Sequence, residues 1–171
     1  MSQTHQTPSP VLHPTVADLV LERDIALPPE RIWRAWTHAE LLEQWFCPAP
    51  YRAVDVEIDL RPGGAFVFVI QSPEGERFPY HACILAVVPG HRLIWTTHLL
   101  PGFVPAPPSA GVPTFTAVIS LDPLPGGGTH YTARAIHKDA ASAQQHADMG
   151  FHEGWGACLD QLVALMQVEP S

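Results

Sequence analysis

Ten histidines and three cysteines are the side chains of this 171-residue chain with the widest chemical reach. A metal site would need them at ligand spacings, as two histidines four apart on a helix or as a C-x-x-C pair. Neither spacing occurs. Cys47, Cys83 and Cys158 lie far apart and are odd in number, so they read as reduced, mostly buried thiols, and no metal is expected. For proton transfer the candidates are His81 and His98, which fall on neighbouring predicted strands between Tyr80 and Ala82 and between Thr97 and Leu99. An imidazole titrates near neutral pH, so either could act as general acid or base if turned into a cavity, and is a structural histidine if not. No carboxylate stands at a fixed spacing to orient either ring. His152-Glu153 reads as an exposed pair or a cavity rim, and Asp148 as a ligand-orienting group or a helix-dipole partner. No G-x-S-x-G elbow, Walker loop or dinucleotide fingerprint accompanies the right elements, and Gly126-Gly127-Gly128 joins two strands with no helix to receive a phosphate. No cofactor is expected.

These groups must be held by secondary structure, and the hydrophobic period predicts it. Residues 1–15 are polar, hold three prolines and lack periodicity, which predicts a flexible tail. From Val16 to Leu27 the apolar Leu19, Leu21 and Ile25 alternate with Glu22 and Asp24, the pattern of a half-buried strand. Pro28-Pro29 ends it. Between Glu30 and Phe46 the apolar positions take a helical spacing, broken near Thr37-His38, which predicts two short helices with Pro29 in a first turn and Pro48 after the second. Strand-like segments follow at Tyr51–Leu60, Ala65–Gln71, Phe78–Val88 and Arg92–Leu100, divided by turn chemistry at Arg61-Pro62-Gly63-Gly64, Ser72-Pro73-Glu74-Gly75 and Pro89-Gly90. Pro101 to Pro113, with five prolines and two glycines, predicts a long loop or lid. Two more strands, Thr114–Leu121 and Thr129–His137, flank a Pro- and Gly-rich turn. Asp139 caps a final helix predicted to run unbroken to Val168, with Phe151, Trp155, Cys158, Leu162, Leu165 and Met166 on one stripe. The fold class is α+β: about seven antiparallel strands form a curved sheet around that helix, the element long enough to cover it.

Composition narrows the partners. A net charge of -8, with 9 basic against 17 acidic residues, argues against nucleic acid and against an anionic membrane surface. No apolar run approaches the ~18 residues of a membrane span, and the first residues lack a signal peptide's charged and apolar regions. A cytoplasmic protein is expected.

Gly150, Gly154 and Gly156 fall inside the predicted last helix, where each costs ~1 kcal/mol relative to alanine. Gly150 and Gly154 sit beside the apolar stripe, so they strip bulk from the edge facing the sheet. Two causes fit: a ligand or loop approaching the backbone, or close packing of helix on sheet. Large aromatic residues in the strands and the long loop add surface beyond what a small one-sided sheet needs. Together these features predict an apolar cavity with a few polar groups. Its expected ligand-binding wall is Trp36, Phe66, Tyr80, Trp95, Phe103, Phe115, Met149, Gly150, Gly154 and Trp155, with His81 and His98 as polar handles.

Five stretches carry a resemblance. Pro28 to Thr37, Leu42 to Phe46, Asp59 to Gly64, Pro89 to Thr96 and Met149 to Trp155 closely resemble, in order, the SRPBCC or START-like proteins, and within them the branch homologous to activator of heat-shock protein 90 ATPase. Cys47, in Trp45-Phe46-Cys47-Pro48, replaces a glycine frequent in that branch. The resemblance covers about residues 17 to 167 and implies a helix-grip fold, related to the birch-pollen-allergen type, with a deep cavity between sheet and helix. Residues 16–168 are then one START-like domain. The superfamily includes lipid carriers, hormone receptors, and polyketide cyclases and aromatases, so the resemblance names no chemistry. The leading expectation is binding of a small hydrophobic or aromatic ligand. A polyketide cyclase-like or hydrolase-like enzyme, a stress-response co-chaperone with a chaperone partner, and a homodimer stay open as further readings.

Overall fold

The structure, a computed structural model, describes residues 17–108 and 111–171. The expected tail, residues 1–15, lies outside the described residues. The chain runs β1 (Asp18–Ile25), α1 (Pro29–Thr37), α2 (Ala39–Leu42), β2 (Arg52–Ile58), β3 (Ala65–Gln71), β4 (Arg77–Val88), β5 (Arg92–Thr96), β6 (Leu99–Leu100), β7 (Val104–Pro105), β8 (Thr116–Pro123), β9 (Thr129–Ile136), α3 (Ala140–Asp148) and α4 (Phe151–Val168). Seven strands form one antiparallel sheet in the order β1-β9-β8-β5-β4-β3-β2, while β6 and β7 make a separate ribbon. No helix of the described residues is long and apolar enough to cross a membrane.

Alternation sets which side chains meet the helices. Along β9, Thr129, Tyr131, Ala133 and Ala135 are buried, and His137 continues the series just past the strand end. Phe66 and Phe68 do the same on β3. The pairing register shifts between Val54 and Glu57 on β2 and between Ile84 and Ala86 on β4, and such bulges bend a sheet so that it can curve around a helix. The β2–β3 turn is closed by Gly64, where an added Cβ would lie 1.9 Å from the Asp59 carbonyl oxygen.

Two expectations are corrected. The last helix is broken: α3 ends at Asp148, and Gly150, with φ of +92°, is the N-cap of α4. A left-handed residue cannot continue a helix, and glycine adopts it without steric cost. Gly150 is therefore a hinge between two helices and not a notch inside one. The strand expected to run from Arg92 to Leu100 also divides, since β5 stops at Thr96 and β6 starts at Leu99. There Thr97 turns to the segment before β8, its amide and hydroxyl both donating to the Phe115 carbonyl.

The far end of α4 is fixed by α1. Arg31 donates to the carbonyls of Met166 and Glu169, and Arg34 donates to that of Pro170 at 2.7 Å. Helix ends leave such carbonyls unpaired and carry partial negative charge, so two guanidiniums satisfy and neutralise them together. Nearer the middle of α4, Gln161 accepts from the Ala49 amide and donates to the carbonyls of Trp45 and Cys47 at 2.9 and 2.8 Å. The Trp45–Ala49 segment is thereby pinned across the helix.

Candidate functional site

Between α4, the Trp45–Pro48 segment and the inner face of the sheet lies a cavity of about 270 Å³. Its wall is aromatic because each contributing element brings rings to one place: Trp36 from α1, Trp45 and Phe46 after α2, Phe68 and Tyr80 from β3 and β4, Trp95 from β5, Tyr131 from β9 and Trp155 from α4. The rings pack edge to face, as between Trp36 and Trp45 at 4.7 Å, or stack, as between Phe68 and Tyr80 at 4.4 Å. No Asp, Glu, Lys or Arg belongs to the wall among the described residues. The exposed wall members Tyr51 and Val112 mark where it meets solvent. A second hollow, of about 300 Å³, shares Ile70, Tyr80, Val112 and Phe115 with the first and continues under Ala106, Pro107 and Pro113.

Of the residues expected from sequence, Trp36, Tyr80, Trp95, Phe115, Gly154 and Trp155 converge on this wall. Gly154 carries the expected missing bulk: a Cβ built there meets nothing within 4 Å. The others stand elsewhere. Phe66 is wholly buried behind Trp95, with ring centroids 4.8 Å apart. Phe103 is 51% exposed and lays its ring over Gly63, and Met149 is 53% exposed at the α3–α4 bend. His81 and His98 are both exposed; His81 edges the second hollow, and His98 lines neither. They do not converge, and neither is turned into the aromatic cavity as a general acid or base would be. Their strand positions gave the wrong sense because β4 faces solvent at His81 and the chain has left β5 before His98. His152, Glu153 and Asp148 are exposed.

Polar chemistry in the cavity comes from the expected wall residues Trp36, Trp95 and Tyr80 and from Tyr131 and His146, which the sequence reading did not name. The indole Nε1 atoms of Trp36 and Trp95 are buried and make no hydrogen bond, whereas Trp45 Nε1 donates to the Ala35 carbonyl at 3.1 Å. Each orphan indole lies near a phenol, Trp36 near Tyr131 and Trp95 near Tyr80, close enough to favour the phenolate slightly without hydrogen-bond geometry. Burial outweighs this, pushing Tyr80 up to about 12 and Tyr131 up as well, so both remain neutral donors. Burial also pushes the Cys47 thiol up to about 11 and Cys158 up to about 12. His146, on α3, joins the wall with its ring 4.9 Å from that of Phe115, and its Nδ1 lies 2.9 Å from His137 Nε2. Burial first, then His137, lowers its pKa to about 4. Tyr131 and His137 were legible as inward positions of β9 by parity alone. His146 carried no such signal, because its placement depends on the α3–α4 bend.

A curved antiparallel sheet closed over a C-terminal helix, with a hollow between them, defines a helix-grip protein of the START-like class. The chain belongs to the family described as activator of Hsp90 ATPase homolog 1-like protein, which matches residues 26–167. Among solved structures it is similar to a Nitrosomonas europaea protein at 44% identity, with a TM-score of 0.83 over 91% of this chain and 97% of that one. It is also similar to a Mycobacterium smegmatis protein at 28% identity, with a TM-score of 0.72 over 91% and 94% of the two chains. An Arthrobacter aurescens protein shares the fold at 18% identity, with a TM-score of 0.77 over 93% and 92%. No curated protein matches the chain.

Proposed function

We propose that this protein binds a small, uncharged, largely aromatic molecule in the cavity beneath α4. The observation that carries the reading is the pair of buried indole N–H groups, Trp36 and Trp95, left without acceptors in a wall of rings. A buried donor without a partner costs about 1–3 kcal/mol, and a ligand oxygen would recover the loss once a small turn of either ring brings its N–H to the cavity surface. A wall without ionic side chains disfavours carboxylates and amines, whose desolvation nothing there would offset. The volume is at the small end of ligand pockets, which favours one or two rings over a long lipid chain. The test is a thermal-shift panel of neutral aromatics, carboxylates, amines and fatty acids. Ligands that bind only the folded state raise its stability by about 2.7 kcal/mol at a hundredfold excess over Kd. Neutral aromatics should raise Tm and the charged sets should not; a panel with no shift at millimolar ligand would remove the reading.

Membership of the Hsp90-activator-like family favours a second reading, a co-chaperone role through the outer surface. Stimulation of heat-shock protein 90 ATPase, retained when the cavity is filled by substitution, would support it. Enzymatic turnover by His81 and His98 is not proposed, because both are exposed and apart from the cavity.

A further inference from the structure

We infer that His146, held by His137, selects for a hydroxyl on the bound aromatic, so that the ligand class is the phenols. This rests on the binding reading above and deepens it. A backbone carbonyl can only accept, so the contact of 3.0 Å between His137 Nδ1 and the Ala17 oxygen places a proton on Nδ1. In the form of His137 that carries this one proton, Nε2 is an acceptor, and its 2.9 Å partner, His146 Nδ1, donates to it. That fixes the second tautomer in turn: His146 Nε2 is a bare lone pair. It has no partner among the described residues, and His146 belongs to the cavity wall.

The arrangement is rigid. His146 is buried, with the rings of Phe115, Phe151 and Trp155 at 4.9, 5.2 and 6.3 Å, and burial and His137 keep it unprotonated at neutral pH. Beside them His98 is likewise held below its ordinary value, by burial first and then by the positive charge of His137 and Lys138. The four indoles of the wall can only donate, and the phenols of Tyr51, Tyr80 and Tyr131 carry a proton of their own. His146 Nε2 is the ring nitrogen of the wall that can only accept, and it distinguishes a ligand O–H from an ether or a bare hydrocarbon.

The test compares 2-naphthol, 2-methoxynaphthalene and naphthalene by quenching of the cavity tryptophans. The full-length protein should bind 2-naphthol at least about fivefold more tightly than the methyl ether, the size of one net hydrogen bond. His146→Phe should bring the two together while still binding naphthalene. A measurement that needs no variant is the 15N shift of His146 Nε2, which should move on adding 2-naphthol and not on adding the ether. Equal affinity for the alcohol and the ether with an unmoved 15N signal would overturn the role of His146 and leave the cavity reading standing. Binding of none of the three would overturn both.

Discussion

At the scale of residues, the burial of His146, with His137 beside it, makes stability depend on pH in a definite direction. An unfolded chain protonates His146 as pH falls through about 6.5, whereas the folded protein resists until about 4, chiefly because the ring is buried. Between those values the unfolded state binds more protons, so stability is complete above about 6.5 and is lost as pH falls toward 4. His98, lowered by burial and by its cationic neighbours, acts in the same sense. His130 acts in the opposite sense, since its hydrogen bond to Asp24 raises its pKa and its contribution is lost as pH rises; the pair is open to solvent, which screens it. His146→Gln, which keeps a donor for His137 but does not titrate, should flatten the fall in Tm between pH 6.5 and 4. An unchanged slope by calorimetry would assign the fall to other groups. The chemistry of this corner was half legible in the sequence. Parity along β9 put His137 inward, but the residue it meets is nine positions away across a turn, and no local spacing encodes such a pair.

At the scale of elements, the strands could be read because burial on one face imposes a period of two, and β3 came out with its full bounds, Ala65–Gln71. The helices were harder for a physical reason. Neither a proline nor any other turn residue besides glycine divides Ala140–Asp148 from Phe151–Val168, so the sequence joins what the backbone of Gly150 separates. Glycine inside a helix and glycine between helices look the same in a sequence; only φ distinguishes them. The β2–β3 turn is the opposite case, since Arg61-Pro62-Gly63-Gly64 announced itself and the structure gives the reason. Gly64→Ala would drive a methyl group into the Asp59 carbonyl, and the backbone must shift to relieve it. We expect a loss of about 2–4 kcal/mol, in the range of the larger single-residue effects, measured by urea unfolding. A loss below about 0.5 kcal/mol would show that the turn relaxes freely.

At the scale of the whole molecule, α4 is held at its C-terminal end and in the middle, and the space beneath it survives because Gly154, on its first turns, lacks a side chain. The guanidiniums of α1 secure its last carbonyls, and Gln161 ties it to the Trp45–Ala49 segment. Two turns before Gln161, Gly154 opens into the cavity with nothing within 4 Å of where a Cβ would be. Glycine there costs about 1 kcal/mol of helix stability relative to alanine, and no close contact or unusual backbone requires it. The expectation from sequence that missing bulk on this helix makes room for something else therefore rests on Gly154, while Gly150 serves the bend and Gly156 lies against the Arg23 guanidinium, 3.6 Å from its would-be Cβ.

The most direct measurement is a tryptophan-quenching titration with 2-naphthol on the wild type, Gly154→Ala and Gly154→Leu, paired with the Tm of each. Saturable one-to-one binding by the wild type is predicted, weakened in Gly154→Ala even though that variant melts higher, and abolished in Gly154→Leu. Equal binding by all three proteins, or none by a folded wild type, would contradict the claim that the hollow under α4 is the binding site.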